Sequence, residues 1–284
     1  MKLYYCAFEL VIFLIIVLGC QPQSRYIKIK GSETVLPISL KLAEEFGKVP
    51  RLPGISVTAG GSGVGIAALL EKNADIAMSS REIKFEEKLK FKDRKVAYCE
   101  KIIGYDALAI VTHPSNPVDS ISLRQLKLIF QDSIQYWSEV GGHKQKIVAF
   151  NRESSSGTYE FFKNVVLKKQ KFGKLETVGA NGELVEKIAA NPRSIGYVGI
   201  AYLNPKVKTL KVYERAGEPA AAPTIENTMK GIYPLVRPLY FYYLCEREKE
   251  LAPVLDFITS IKGQEMVKSV GYPPNKQYYP IANK

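Results

Sequence analysis

Three times along this chain, a short strand-like run ends in a turn rich in glycine and hydroxyl residues, and each turn opens a helix-like run. The first turn is Gly31-Ser32-Glu33-Thr34-Val35-Leu36-Pro37, with a proline in the first helical turn. The second is Gly60-Gly61-Ser62-Gly63-Val64-Gly65, and the third Asn151-Arg152-Glu153-Ser154-Ser155-Ser156-Gly157-Thr158. The same alternation continues elsewhere. Strand patterns fall at 26–30, 55–58, 75–78, 105–112, 146–150, 195–198, 207–212 and 239–245. Helix patterns fall at 36–46, 64–71, 122–130, 158–168, 183–190, 248–261 and 264–270, the last two divided at Gly263. Repeated strand–helix alternation predicts an α/β protein with mainly parallel sheet. Punctuation at 113–118 and before the strand pattern at 239–245 predicts two lobes joined by two crossings. One lobe takes residues 26–110 and 240–284, and the other 111–239.

The three turns share one chemistry. A helix N-terminus carries unsatisfied N–H groups and a partial positive charge. Glycine lets backbone approach a bound group, and hydroxyls donate to an oxyanion, so such turns are ready anion sites. Arg152 adds a permanently charged planar fork. Taken singly, Thr34 and Ser62 read as helix caps. Taken together, three turns from distant parts of the chain can surround one small anion.

Composition narrows the alternatives. There are 2 His and 4 Cys, with no Cys-x-x-Cys pair, so neither a zinc nor a dithiol redox motif is present. Ser154, Ser155 and Ser156 sit in no Gly-x-Ser-x-Gly elbow, and no carboxylate pair is spaced for acid–base work, which argues against an enzyme. With 40 Lys+Arg against 28 Asp+Glu, the formal charge is +12. The lysines are scattered without interleaved aromatics, which does not suggest nucleic acid; a positive field does draw small anions.

The N-terminus reads as an address. Residues 10–18 are an unbroken apolar run preceded by Lys2, short for a membrane span and suited to a signal peptide. Val17-Leu18-Gly19-Cys20 resembles the bacterial lipobox, in which lipid is attached to the cysteine. Residues 1–19 are then removed, Cys20 becomes a lipid anchor, and 20–25 form a tether. A diacylglycerol cysteine is enough for stable membrane attachment. That leaves Cys99 and Cys245 in the folded part, either paired or serving as small buried hydrophobes.

The turns, with Asp75-Ile76-Ala77-Met78-Ser79-Ser80-Arg81, resemble those of the phosphate-binding proteins of bacterial phosphate ABC importers, in the type II periplasmic binding protein superfamily. Arg-x-x-x-Ser-Gly-Thr at 152–158 is the most specific motif. The resemblance implies two α/β lobes with the ligand in the cleft, no cofactor, a monomer, and delivery of inorganic phosphate to a membrane permease outside the cytoplasm. It implies ligand roles for Thr34, Val35, Ser62, Ser80, Arg152, Ser156, Gly157 and Thr158, with Ser32, Glu33 and Arg81 as further candidates. The family places a proton-accepting aspartate where this chain has Ser80, so selectivity for phosphate over sulfate is less secure than selectivity for an anion. Glu33 is the candidate substitute acceptor. Receptors for sulfate or molybdate, and a signalling or adhesion lipoprotein on the same fold, are the alternatives.

Overall fold

The computed structural model describes residues 26–278, apart from 51 and 216. The signal peptide, the lipobox Cys20 and the tether expected at 1–25 lie outside the described residues. Among these residues ten strands form one extended sheet: β1 Ile27–Gly31, β2 Ile55–Ala59, β3 Ile76–Ser79, β4 Tyr98–Thr112, β5 Ser120–Ser122, β6 Val148–Arg152, β7 Glu176–Val178, β8 Ser194–Gly199, β9 Lys208–Tyr213 and β10 Val236–Leu244. Their order is β2-β1-β3-β10-β4-β8-β6-β7, with β9 also on β4 and β5 on β9. Among the described residues nine helices of α type flank it: α1 Leu36–Gly47, α2 Ser62–Leu70, α3 Phe85–Asp93, α4 Leu123–Phe130, α5 Gly157–Val165, α6 Asn181–Ala189, α7 Ile225–Met229, α8 Glu248–Thr259 and α9 Ile261–Ser269.

Pairing is parallel within β2-β1-β3 and within β8-β6-β7. The two strands between these groups run antiparallel to their neighbours, which the alternation pattern does not reveal. β4 is the reason. This strand begins at Tyr98, seven residues before the apolar run that marks it in sequence. It pairs with β10 over 98–107 and with β8 over 108–112. Its early part carries Glu100 and Lys101 and lacks the fully buried run of 106–112.

The buried apolar side chains fall into two sets that meet along this strand. One set, including Ile38, Leu42, Ile76, Phe241 and Leu255, is drawn from 27–103 and 239–272. The other, including Phe130, Phe162, Leu184, Tyr197 and Leu210, is drawn from 107–235. Each turn's helix is fixed by one set. α1 buries Ile38, Leu42 and Phe46 at helical spacing in the first. α5 is held in the second by Phe162, whose ring stacks on Tyr197 at 4.2 Å between centroids. α3, which the strand and helix patterns passed over, has a single buried residue, Phe91. At the C-terminus the helices divide at Ser260 instead of Gly263. Ser260 caps α9 by accepting from the Gly263 N–H, and Gly263 is packed so closely that a Cβ would lie 2.0 Å from the Phe257 carbonyl oxygen. Cys99 and Cys245 form a disulfide at the outer end of the β4–β10 ladder.

Candidate functional site

The three turns converge on the seam between the two core sets. Thr34, ahead of α1, places its hydroxyl oxygen 3.0 Å from that of Thr158, in the first turn of α5. The Ser32 hydroxyl donates to Ser80 Oγ at 3.1 Å, and the Ser62 and Ser80 hydroxyl oxygens are 3.5 Å apart. The Gly63 N–H donates to the Ser155 carbonyl, joining the second turn to the third at 3.1 Å. All these hydroxyls are buried.

The capping alternatives resolve differently at each turn. α1 is entered from Val35 with no side-chain cap bond, and α2 from Gly61. Gly61 has φ +94°, a conformation that favours glycine. The Thr34 hydroxyl instead faces Thr158, and Ser62 Oγ accepts from the Ser80 N–H at 3.2 Å. Neither hydroxyl is spent on its own helix. Ser156 is a cap, accepting from Thr158 and Tyr159. The Val35 N–H closes a turn onto the Ser32 carbonyl.

The charged groups are arranged less simply than the motifs suggest. Arg152 is buried, and its fork donates to the Val178 and Gly179 carbonyls and to Asn181 Oδ1. It braces the loop between β7 and α6, beside the hydroxyl cluster. Burial pulls its guanidinium below the ordinary value, opposed by the fields of Tyr197 and Glu33. Arg81 forms a two-pronged pair with Glu87 at 2.8 and 2.7 Å, which commits its fork to the start of α3. Glu33 is half-buried, and its backbone carbonyl accepts from the Tyr202 hydroxyl, across the seam.

The cation that touches the hydroxyl cluster is one no motif announces. Arg237 Nη2 donates to Thr158 Oγ1 at 2.9 Å and to Thr34 Oγ1 at 3.2 Å. Asp106 holds the same fork through Nε at 3.0 Å and Nη2 at 2.8 Å. Asp106 Oδ1 accepts from the Ile200 N–H. A cavity of about 750 Å3 opens from Ser80 and Arg237 between α3 and α5, and Lys163 and Lys169 lie on its wall.

Among the described residues, three charged ones are fully buried: Asp106, Arg152 and Arg237. Two are positive and one negative, so the fully buried side chains at the seam carry one more positive charge than negative. Such an excess is costly unless an anion joins it.

Comparisons with known proteins identify the family. The pattern of the PBP superfamily domain matches residues 19–262. The phosphate-binding protein PstS of Borreliella burgdorferi is 32% identical over 261 residues, covering 89% of this chain and 91% of its own. The chain belongs to the PBP superfamily and, within it, to the PstS family. PstS of Staphylococcus aureus is 31% identical, covering 87% of this chain and 78% of its own. Among solved structures, a phosphate ABC transporter substrate-binding protein from Clostridium perfringens with bound phosphate superposes with a TM-score of 0.79 at 30% identity. It covers 89% of this chain and all of that one. The fold is the α/β architecture of periplasmic binding proteins, as expected. No helix of the described residues is long and apolar enough to cross a membrane.

Proposed function

We propose that this protein captures inorganic phosphate outside the cytoplasm and delivers it to an ABC importer. The observation that carries the reading is the buried excess positive charge of Arg152 and Arg237 over Asp106 beside five buried hydroxyls, Ser32, Thr34, Ser62, Ser80 and Thr158. A desolvated dianion there gains charge-assisted hydrogen bonds and offsets that excess. The PstS relatives and the phosphate-bound relative support phosphate as that anion. Thr34, Val35, Ser62, Ser80, Ser156, Gly157 and Thr158 form the cage, with Arg152 behind it. The lobes, 26–110 with 240–284 and 111–239, close about it, and the chain acts as a monomer held to the membrane through lipidated Cys20. Binding, not turnover, is the activity.

Calorimetry on protein stripped of ligand tests this. Phosphate should bind with a stoichiometry of one and sulfate more weakly; no heat of binding from millimolar phosphate would end the reading.

Glu33 bears on the missing acceptor. It stands half-buried in the first turn, next to Ser32 and Thr34, and its backbone carbonyl accepts from the Tyr202 hydroxyl. Glu33→Gln should narrow the phosphate-to-sulfate affinity ratio by about tenfold, the worth of one charge-assisted hydrogen bond. An unchanged ratio would remove Glu33 from the discrimination of the two anions.

A further inference from the structure

We infer that Arg237 is the anion's principal charged ligand and the element that couples its binding to closure, with Asp106 as its positioning residue; this rests on the phosphate-capture reading. Four observations carry it. First, Arg237 Nη1 is buried and, among the described residues, has no hydrogen-bond partner. A guanidinium donor removed from water and left unpaired marks a place that an acceptor fills. Each nitrogen of the Arg152 fork, by contrast, already has one protein oxygen as a partner.

Second, Arg237 Nη2 reaches both Thr34 and Thr158, so one cation spans hydroxyls fixed in the two different core sets. Third, Arg237 and Asp106 are register partners on β10 and β4, where β4 stops pairing with β10 and starts pairing with β8. That junction is the seam itself, so the pair moves least when the cores rotate about it, and Thr34 and Thr158 swing onto a fixed fork. Fourth, the fork is immobilised on two more sides: Asp106 binds Nε and Nη2, and the Phe161 ring lies 5.4 Å from its centre. A fork held this way loses little freedom when the anion arrives.

The pairing sets a guanidinium fork beside Ser80, on the wall of the same cavity, in addition to the charge that Arg152 carries in the third turn. It also predicts that binding and closure share one residue.

The test compares wild type, the double variant Asp106→Asn/Arg237→Gln and the single variant Arg237→Lys, using inorganic phosphate as the probe. The double variant keeps a buried amide pair and the same net buried charge as wild type, Arg152 alone supplying it. Any loss therefore reports the fork and not the field. Affinity is read by calorimetry, and closure by the phosphate-induced fall in radius of gyration in small-angle scattering. The double variant should bind phosphate about 100-fold more weakly and lose the compaction. Arg237→Lys, which keeps charge but not the planar fork, should bind about tenfold more weakly. If the double variant does not fold, Arg237→Lys decides alone. Both folded variants binding within threefold of wild type, with unchanged compaction, would overturn the inference while leaving phosphate capture standing. A wild-type protein that ignores phosphate would overturn both.

Discussion

Gly157→Ala should lower phosphate affinity by about 100-fold, since forced overpacking of a closed contact costs on the order of 3 kcal/mol. The position is the first residue of α5, where it faces the hydroxyls of the first core set across the seam. A Cβ built there would lie 2.3 Å from Ser62 Oγ and 2.5 Å from Ser80 Oγ. Neither hydroxyl can simply turn aside. Ser62 Oγ accepts from the Ser80 N–H, Ser80 Oγ accepts from Ser32, and all three side chains are buried. The alanine is accommodated only by holding α5 away from the first set, which keeps the cage open. The ligand-free protein should be unharmed, because alanine is a better helix former than glycine in a first turn. The prediction is therefore a separation of effects. Calorimetry shows the lost affinity, and thermal unfolding without phosphate shows a midpoint equal to or above wild type. A variant that binds as wild type does would mean that the turns do not close on one another.

The sequence made Gly157 legible as part of an anion-binding turn but not as the point of contact between two cores. That difference runs through the whole molecule. The three turns, their helices and most strands follow from local patterning, because a strand face or a helix stripe is written in residues two to four apart. Ser32, Thr34, Ser62 and Thr158 draw attention as candidates because glycine and hydroxyl residues at helix starts have a meaning independent of what they meet, whereas Ser80, which opens no helix, is a candidate only through the family resemblance. Arg237 had no such signal. It stands in Pro234-Leu235-Val236-Arg237-Pro238, inside no motif, and its role exists only because Asp106, 131 positions away, is its register partner. The Arg152 motif is visible, but the acceptors that occupy its fork run from the end of β7, a strand the pattern passes over, through Gly179 to the first residue of α6. Only the second half of β4 is visible in the sequence pattern. Its first half, Tyr98–Ile102, is only partly buried and carries Glu100 and Lys101, so it lacks the continuous apolar run of a strand buried on both faces.

Removing the disulfide with Cys99→Ser/Cys245→Ser should cost about 4 kcal/mol of stability, the chain-entropy value for a long closed loop. The bridge joins residues 146 apart in sequence and fastens the outer end of the β4–β10 ladder. There the Cys245 N–H also bonds to the Ala97 carbonyl. Those two strands carry the Asp106–Arg237 pair, so their unzipping in the denatured chain frees more than one loop. The site itself lies seven residues along β4 from Cys99, roughly 23 Å at the rise of an extended strand. Phosphate affinity of the folded variant should therefore match wild type within twofold. Urea unfolding monitored by circular dichroism reads the first effect and calorimetry the second. A lower urea midpoint with unchanged affinity places the bridge in the frame and outside the cage. An unchanged midpoint would show that the sheet pairing alone holds the ladder shut. A protein that draws several kcal/mol from a cystine is suited to an oxidising compartment, the setting in which a receptor for an importer works.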